Sequence, residues 1–370
     1  MNKFKIVPEI QMYDDIVTFL NETPLTDSDF VLISKHVYES FFKDHLHLKK
    51  VYFRSDYGQG EPNSDMVNHL IRDFKQSGCT RIIAIGGGSV MDMAKVLVVA
   101  KDDDCESLFL HPENLEHQYP LILIPTTCGS GSEVSNISIV ELLSKQTKLG
   151  LAQDPLYADT AVLIPSLLSS ISDFYFVTSS IDGLIHAIES YLSSRSNTYT
   201  RIFQEKAIQL YLDGFQALVK GAPKESLYED FTKASNMAGI SFANTGTGCV
   251  HGISYPLSGT YHVTHGLANS IFLVEVLKMY ERDGEGKALD TLKSLMASCL
   301  HCEVNQVFNA LQHLLEQLLE IPSLKELGMK EEEIISFSQS VIQYQQRLMS
   351  NGFINLNEKQ VQEIYRNLYQ

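Results

Sequence analysis

The chain has 370 residues, enough for two domains that each bury a core and too many for a disulfide scaffold or a short peptide. With 44% hydrophobic and 20% charged residues it reads as globular, and 29 Lys and Arg against 45 Asp and Glu leave a net charge of -16, which argues against nucleic-acid or anionic-membrane partners. The longest apolar runs, such as 96–100 and 121–124, fall far short of the ~20 residues of a membrane span.

The opening segment MNKFKIVPEI carries no apolar signal core, and of the six cysteines Cys299 and Cys302 alone stand at CxxC spacing, with no second pair to complete a finger, so the expected setting is a reducing cytoplasm. Along the first 170 residues short apolar runs alternate with helical stretches. Strands are predicted at 30–33, 51–53, 81–85, 121–124, 138–142 and 161–164, with a helix over 66–74. That alternation predicts a Rossmann-like, doubly wound α/β domain over residues 1–175. Beyond it, amphipathic stretches at 182–192, 200–218, 227–243, 304–319 and 331–348 predict an all-α domain over 176–370. The seam falls in the Pro-, Ser- and Asp-rich segment 165–180.

Within the first domain, RIIAIGGGSVMDMAK reads as strand, three glycines, then helix, a layout suited to a pyrophosphate. Gly86, Gly87 and Gly88 can take positive φ and let the backbone approach an anion, and Ser89 with Asp92 three residues on has the spacing of a capping box. A plain glycine turn is the competing reading, since neither GxGxxG nor a P-loop lysine is present. A second element, PTTCGSGSEVSN, follows the apolar run 121–124 and so lies at a strand's carboxyl end, where open α/β sheets bind ligands. Thr126, Thr127, Ser130 and Ser132 offer four hydroxyls to phosphate or ribose there, with a plain Ser/Gly loop as the competing reading, and Lys148 in TKLGLA could add a positive charge unless it is a surface lysine.

In the second domain, Asp182 and His186 stand four apart at the predicted start of a helix, on one face. His251, His262 and His265 lie within fifteen residues, and Gly252, Pro256 and Gly259 are expected to break that segment into helix, loop and helix. Three histidines and one carboxylate make a set for a divalent metal, with Fe²⁺ and Zn²⁺ both fitting the ligand types. Such an ion beside a nicotinamide would act as a Lewis acid on an alcohol or aldehyde substrate.

Taken together, GGGSVMDMAK, PTTCGSGSEVS, SSIDGLIHAIESY and HGISYPLSGTYHVTHG resemble, in order, the motifs of the iron-containing alcohol dehydrogenase family. The resemblance runs over most of the chain. It implies a dehydroquinate synthase-like architecture, with an NAD-binding α/β domain, a helical metal domain and a site in the cleft between them. It also implies that Gly87, Gly88 and Ser89 hold the pyrophosphate with Asp92 shaping the turn, and that Thr126, Thr127, Ser130 and Lys148 line the rest of the dinucleotide groove. The implied metal ligands are Asp182, His186, His251 and His265, and the implied assembly is a homo-oligomer, commonly a dimer. Segments such as FVTSSIDGLIHA and GMKEEEIISFSQSVIQYQQRL most resemble members that interconvert 4-hydroxybutyrate and succinate semialdehyde.

The chain departs from the family pattern in two informative places. Where many members carry a second histidine four residues after the third metal ligand, this chain has Tyr255, a poorer base at neutral pH, so His262 and Tyr255 are the candidates for the proton-handling role, with binding of the substrate carboxylate or a purely supporting place as the other readings of His262. Where members often place an Asp that repels the 2′-phosphate of NADP, this chain has Ser34, which weakens the case for NAD over NADP. The competing functions are a dehydrogenase for another primary alcohol or diol, a synthase of the dehydroquinate type, which would call for a more basic pocket, and a non-catalytic dinucleotide sensor.

Overall fold

The computed structural model describes residues 4–101 and 104–370. They divide into two compact units, Ile6–Ser172 and Asp173–Gln370, with Phe4 and Lys5 grouped with the second. Lys5 exchanges backbone hydrogen bonds with the Asn244 side chain, and Phe4 stacks on Tyr199 and Phe203.

The first unit carries eight strands: β1 (Glu9–Met12), β2 (Asp29–Ile33), β3 (Tyr52–Phe53), β4 (Arg81–Gly86), β5 (Leu121–Pro125), β6 (Ile137–Leu142), β7 (Thr147–Ala152) and β8 (Thr160–Leu163). Six of them form one sheet in the order β1-β8-β5-β4-β2-β3, every pairing parallel, while β6 and β7 form a separate antiparallel hairpin. Side chains alternate between two cores. Phe30, Leu32, Ile82, Ala84, Leu121 and Leu123 enter one, and Val31, Ile33, Ile83, Ile85, Ile122 and Ile124 enter the other. With both faces covered, the strands read as unbroken apolar runs, which is why they were legible. Strand β1 was not predicted; it is a four-residue edge strand with three exposed positions, too short and too polar to show a pattern.

The second unit is helical, and its central member is the helix Asp173–Leu192. Its first turn is exposed at Phe174 and Tyr175, but every residue from Ser180 to Leu192 is buried, so the helix is enclosed on all sides over that stretch. It begins nine residues before the predicted start. The hydroxyls of Thr178, Ser179 and Ser180, which made the segment look like a loop, donate back to the helix's own carbonyls at Phe174, Phe176 and Val177. Asp182 and His186 therefore lie in mid-helix and not at its start.

The helix Cys249–Tyr261 likewise corrects the expected break, for it runs through Gly252, Pro256 and Gly259. Gly252 serves packing: a Cβ there would lie 3.0 Å from Met349 Sδ and 3.4 Å from Leu348 Cβ. The turn comes at His262, whose backbone is left-handed (φ 54), before the helix His265–Asp283 begins. Among the described residues no helix is long and apolar enough to cross a membrane.

Candidate metal centre and cofactor loop

At the carboxyl ends of the adjacent strands β2, β4 and β5 stand Ser34, the three glycines and the two threonines. Ser34 N donates to Ile85 O (3.1 Å) and Thr126 N to Gly86 O (3.0 Å), so the strand ends are laced together. None of Gly86, Gly87 and Gly88 has a positive φ; the expected reason for glycine is corrected to close approach. A Cβ at Gly86 would lie 2.4 Å from Val90 Cγ2, one at Gly87 3.2 Å from Thr127 Cγ2, and one at Gly88 3.1 Å from Ser130 Cβ. Gly87, Gly88, Ser89, Thr127 and Ser130 form a half-exposed rim above buried Gly86 and Thr126. Gly87 is the N-cap of the helix Gly88–Val99 and no side chain caps it, which leaves first-turn amides for an anion.

The Ser89–Asp92 capping box is not formed. Asp92 points the other way: its carboxylate accepts from Ser132 Oγ (2.6 Å) and Ile139 N (2.9 Å) and fastens the serine-rich loop beneath the rim. Beside it lies Lys95, which sequence reasoning missed. Its fully buried amine donates to Ser132 Oγ (2.6 Å), Ser135 Oγ (3.1 Å) and Ile137 O (2.8 Å), 3.8 Å from Asp92. Burial pushes this amine down to about 8, with Asp92 and Glu133 opposing. A lysine inside the apolar run VMDMAKVLVVA was the available signal. Lys148 stands on the β6–β7 hairpin and pairs with Glu61 (2.5 Å).

In the helical unit Asp182, His186 and His251 are buried and offer ligand atoms that all lie within 4.8 Å of one another. The Nε2 atoms of His186 and His251 are 3.0 Å apart, and Asp182 Oδ1 lies 3.6 Å from His251 Nε2 and 3.7 Å from His265 Nε2. His265 is the more open member, its side chain 37% exposed. Burial alone would raise the Asp182 carboxyl, but His186, His265 and His251, with the Asn269 amide at 2.7 Å, outweigh it and hold it below its ordinary value. Burial, then His186, pushes His251 well below the usual imidazole range, so it is a neutral ring with a lone pair to offer.

Tyr255 packs near this group, its ring 6.2 Å from that of His265. His262 is exposed at the turn between the two histidine-bearing helices. Two supporting residues were missed. Glu189, three residues after His186, reaches His251 Nδ1 (2.6 Å), and Asn269 holds both Asp182 and His265. The spacing 182, 186, 189 places all three on one helix face, and that was the legible sign of Glu189. Further along the chain, buried Asn351 donates to Thr245 O and Thr247 O (both 2.9 Å) and accepts from Ser193 Oγ (2.8 Å), fastening the loop that leads to His251.

Two family descriptions match the chain: "Iron-containing alcohol dehydrogenase" over residues 18–165 and "Fe-containing alcohol dehydrogenase family, C-terminal" over residues 176–369. Over its whole length the chain is 41% identical to a 4-hydroxybutyrate dehydrogenase of Clostridium kluyveri, with 100% of both chains covered. Among solved structures it resembles a sulfoacetaldehyde reductase from Bifidobacterium kashiwanohense in complex with NAD+ (TM-score 0.87, 19% identity, 100% of this chain and 99% of that one). It also resembles a 1,3-propanediol oxidoreductase (TM-score 0.85, 20% identity, 100% of both). The parallel-sheet unit followed by a helical unit is thus the dehydroquinate synthase-like architecture that the motifs implied. By both matches and by its full-length relative, the chain belongs to the iron-containing alcohol dehydrogenase family.

Proposed function

We propose that the chain is an NAD-linked, divalent-metal-dependent dehydrogenase that interconverts 4-hydroxybutyrate and succinate semialdehyde. The observation that carries this is the 41% identity, end to end, with a 4-hydroxybutyrate dehydrogenase. The donor set fits a metal: one carboxylate oxygen and two imidazole nitrogens converge in a buried space, and thiolates are absent from the cluster. Asp182, His186, His251 and His265 would hold Fe²⁺ or Zn²⁺ there. The ion, when bound, supplies Lewis acidity to the oxygen of the reacting alcohol or carbonyl.

Gly86, Gly87, Gly88, Ser89, Thr126, Thr127 and Ser130 would receive the cofactor's diphosphate, with Asp92 and Lys95 holding the loop from below. Lys148 contributes charge in this reading only by exchanging Glu61 for the cofactor. The nicotinamide cofactor, when bound, would supply the hydride acceptor, and Tyr255 and His262 are the residues proposed to pass the hydroxyl proton to solvent. A homo-oligomer in the cytoplasm completes the proposal, in keeping with six cysteines whose spacing along the chain shows no disulfide framework.

The test is anaerobic oxidation of NADH by the Fe²⁺-loaded protein with succinate semialdehyde beside butyraldehyde, repeated with His265→Ala. A strong preference for the semialdehyde that the variant loses is expected. Equal rates would discard 4-hydroxybutyrate and redirect the assignment to another primary alcohol or a diol.

A further inference from the structure

Glu189 is 4% exposed and meets three nitrogens at once, two backbone N–H donors and a ring nitrogen of His251. One carboxylate oxygen accepts from Gly248 N (2.9 Å) and lies 2.6 Å from His251 Nδ1, and the other accepts from Val250 N (2.6 Å). The helix Cys249–Tyr261 starts at Gly248 with no capping side chain of its own, so its cap comes from a different helix, 59 residues earlier in the chain. Gly248 is what admits it: a Cβ there would lie 3.1 Å from Glu189 Oε1.

Both backbone partners are N–H groups and can only donate, so each Glu189 oxygen is engaged as an acceptor at the start of that helix. A carboxylate with its oxygens so engaged takes the ring proton at Nδ1 as a third donor. His251 then carries its proton on Nδ1, and Nε2 presents a lone pair toward His186 Nε2 (3.0 Å) and Asp182 Oδ1 (3.6 Å). A lone pair facing a carboxylate oxygen and a second imidazole is the arrangement a shared cation satisfies.

We propose that Glu189 is a positioning residue that ties the start of the helix Cys249–Tyr261 to the cluster, fixing His251 as the Nδ1–H tautomer and so setting the affinity of the Asp182, His186 and His251 group for a divalent ion. This inference rests on the metal reading above, and the two fail differently. The substitutions are graded. In Glu189→Gln at most one oxygen remains, so at least one N–H faces an amide N–H₂; in Glu189→Met every acceptor is gone.

The experiment measures Zn²⁺ binding to the full chain by competition with a chromophoric chelator, alongside circular dichroism and the thermal midpoint. It also assigns the His251 tautomer by ¹⁵N-imidazole NMR in the ion-free wild-type protein. The expected result is an Nδ1–H tautomer in the wild type, with Zn²⁺ affinity weakened about 10- to 100-fold by Glu189→Gln and further by Glu189→Met. If the wild type binds no Zn²⁺, the metal reading fails and this inference with it. If the wild type binds and Glu189→Gln binds equally well, Glu189 only caps a helix and the inference alone is overturned. An Nε2–H tautomer in the wild type, which a protonated Glu189 donating to Nδ1 would produce, overturns it without any variant having to fold.

Discussion

The two candidate sites of this chain are built by opposite means. The loop above β4 and β5 is made of backbone, and its key residues are glycines because a Cβ at each would meet Val90, Thr127 or Ser130. The cluster in the helical unit is made of side chains, carried by the helices Asp173–Leu192, Cys249–Tyr261 and His265–Asp283 and held by Glu189 and Asn269. A backbone site depends on neighbours staying small and close. A side-chain site depends on polar groups in a dry interior, where each lost partner strands another. The first should therefore fail by degrees and the second all at once.

The largest effect tests the abrupt case. His251→Ala removes one of the three buried ligand atoms, and kcat/KM should fall by at least about 10³-fold, several kcal/mol of transition-state stabilisation, with loss of bound ion by elemental analysis. A variant that keeps its ion and most of its turnover would break the contrast. Next, Lys95→Met leaves the Asp92 carboxylate without its cation and frees the serine loop, at a cost of about 3 kcal/mol. Thermal unfolding should show the loss, NADH KM should rise, and ion content should not change.

Gly88→Ala sharpens the graded case. Ser130 must yield by a few tenths of an ångström, and a rise of about tenfold in NADH KM, ~1.4 kcal/mol, is expected in steady-state kinetics with the ion retained. A loss of the ion in this variant would show that the two sites are not separable. The smallest effect is a control remote from both. Burial pushes the Asp29 carboxyl upward, but Arg81, paired at 2.6 Å, and Thr26 outweigh it and hold it below its ordinary value of 3.8. That stabilisation is present in full above the ordinary value and is lost as pH falls through the lower folded one. Asp29→Asn should flatten the acid limb of the stability profile by ~1 kcal/mol and leave kinetics at neutral pH unaltered.

The central strands were legible because β2, β4 and β5 are buried on both faces and read as apolar runs, and the glycine loop because a helix follows it at once. The convergence of Asp182, His186 and His251 was anticipated from the crowding of histidines and the family motifs; that Cys249–Tyr261 is one continuous helix was not, because Gly252 and Pro256 read locally as breakers. Nor could a local pattern show that Asp92 turns away from the helix start, since its partners Ser132 and Ile139 come 40 and 47 residues later. The same limit hid Lys95, whose fitness for a buried position depends on Ser132 and Ser135. Helix starts suffered most. Thr178, Ser179 and Ser180 resemble a loop until their hydroxyls are seen to bond within the helix.

The amide of Asn351 has a bearing on the order in which the chain can take shape as it is synthesised. It closes the carbonyls of Thr245 and Thr247, just ahead of the helix that bears His251, from a position about a hundred residues later in the chain. The sheet unit ends at Ser172 and has all its own strands by then. On a ribosome it can settle while the rest is still emerging. The loop before His251 must wait until residue 351 has left the exit tunnel, so the cluster is among the last features to lock. A ribosome stalled shortly before that point should carry a folded sheet beside a histidine-bearing helix that has not yet been secured.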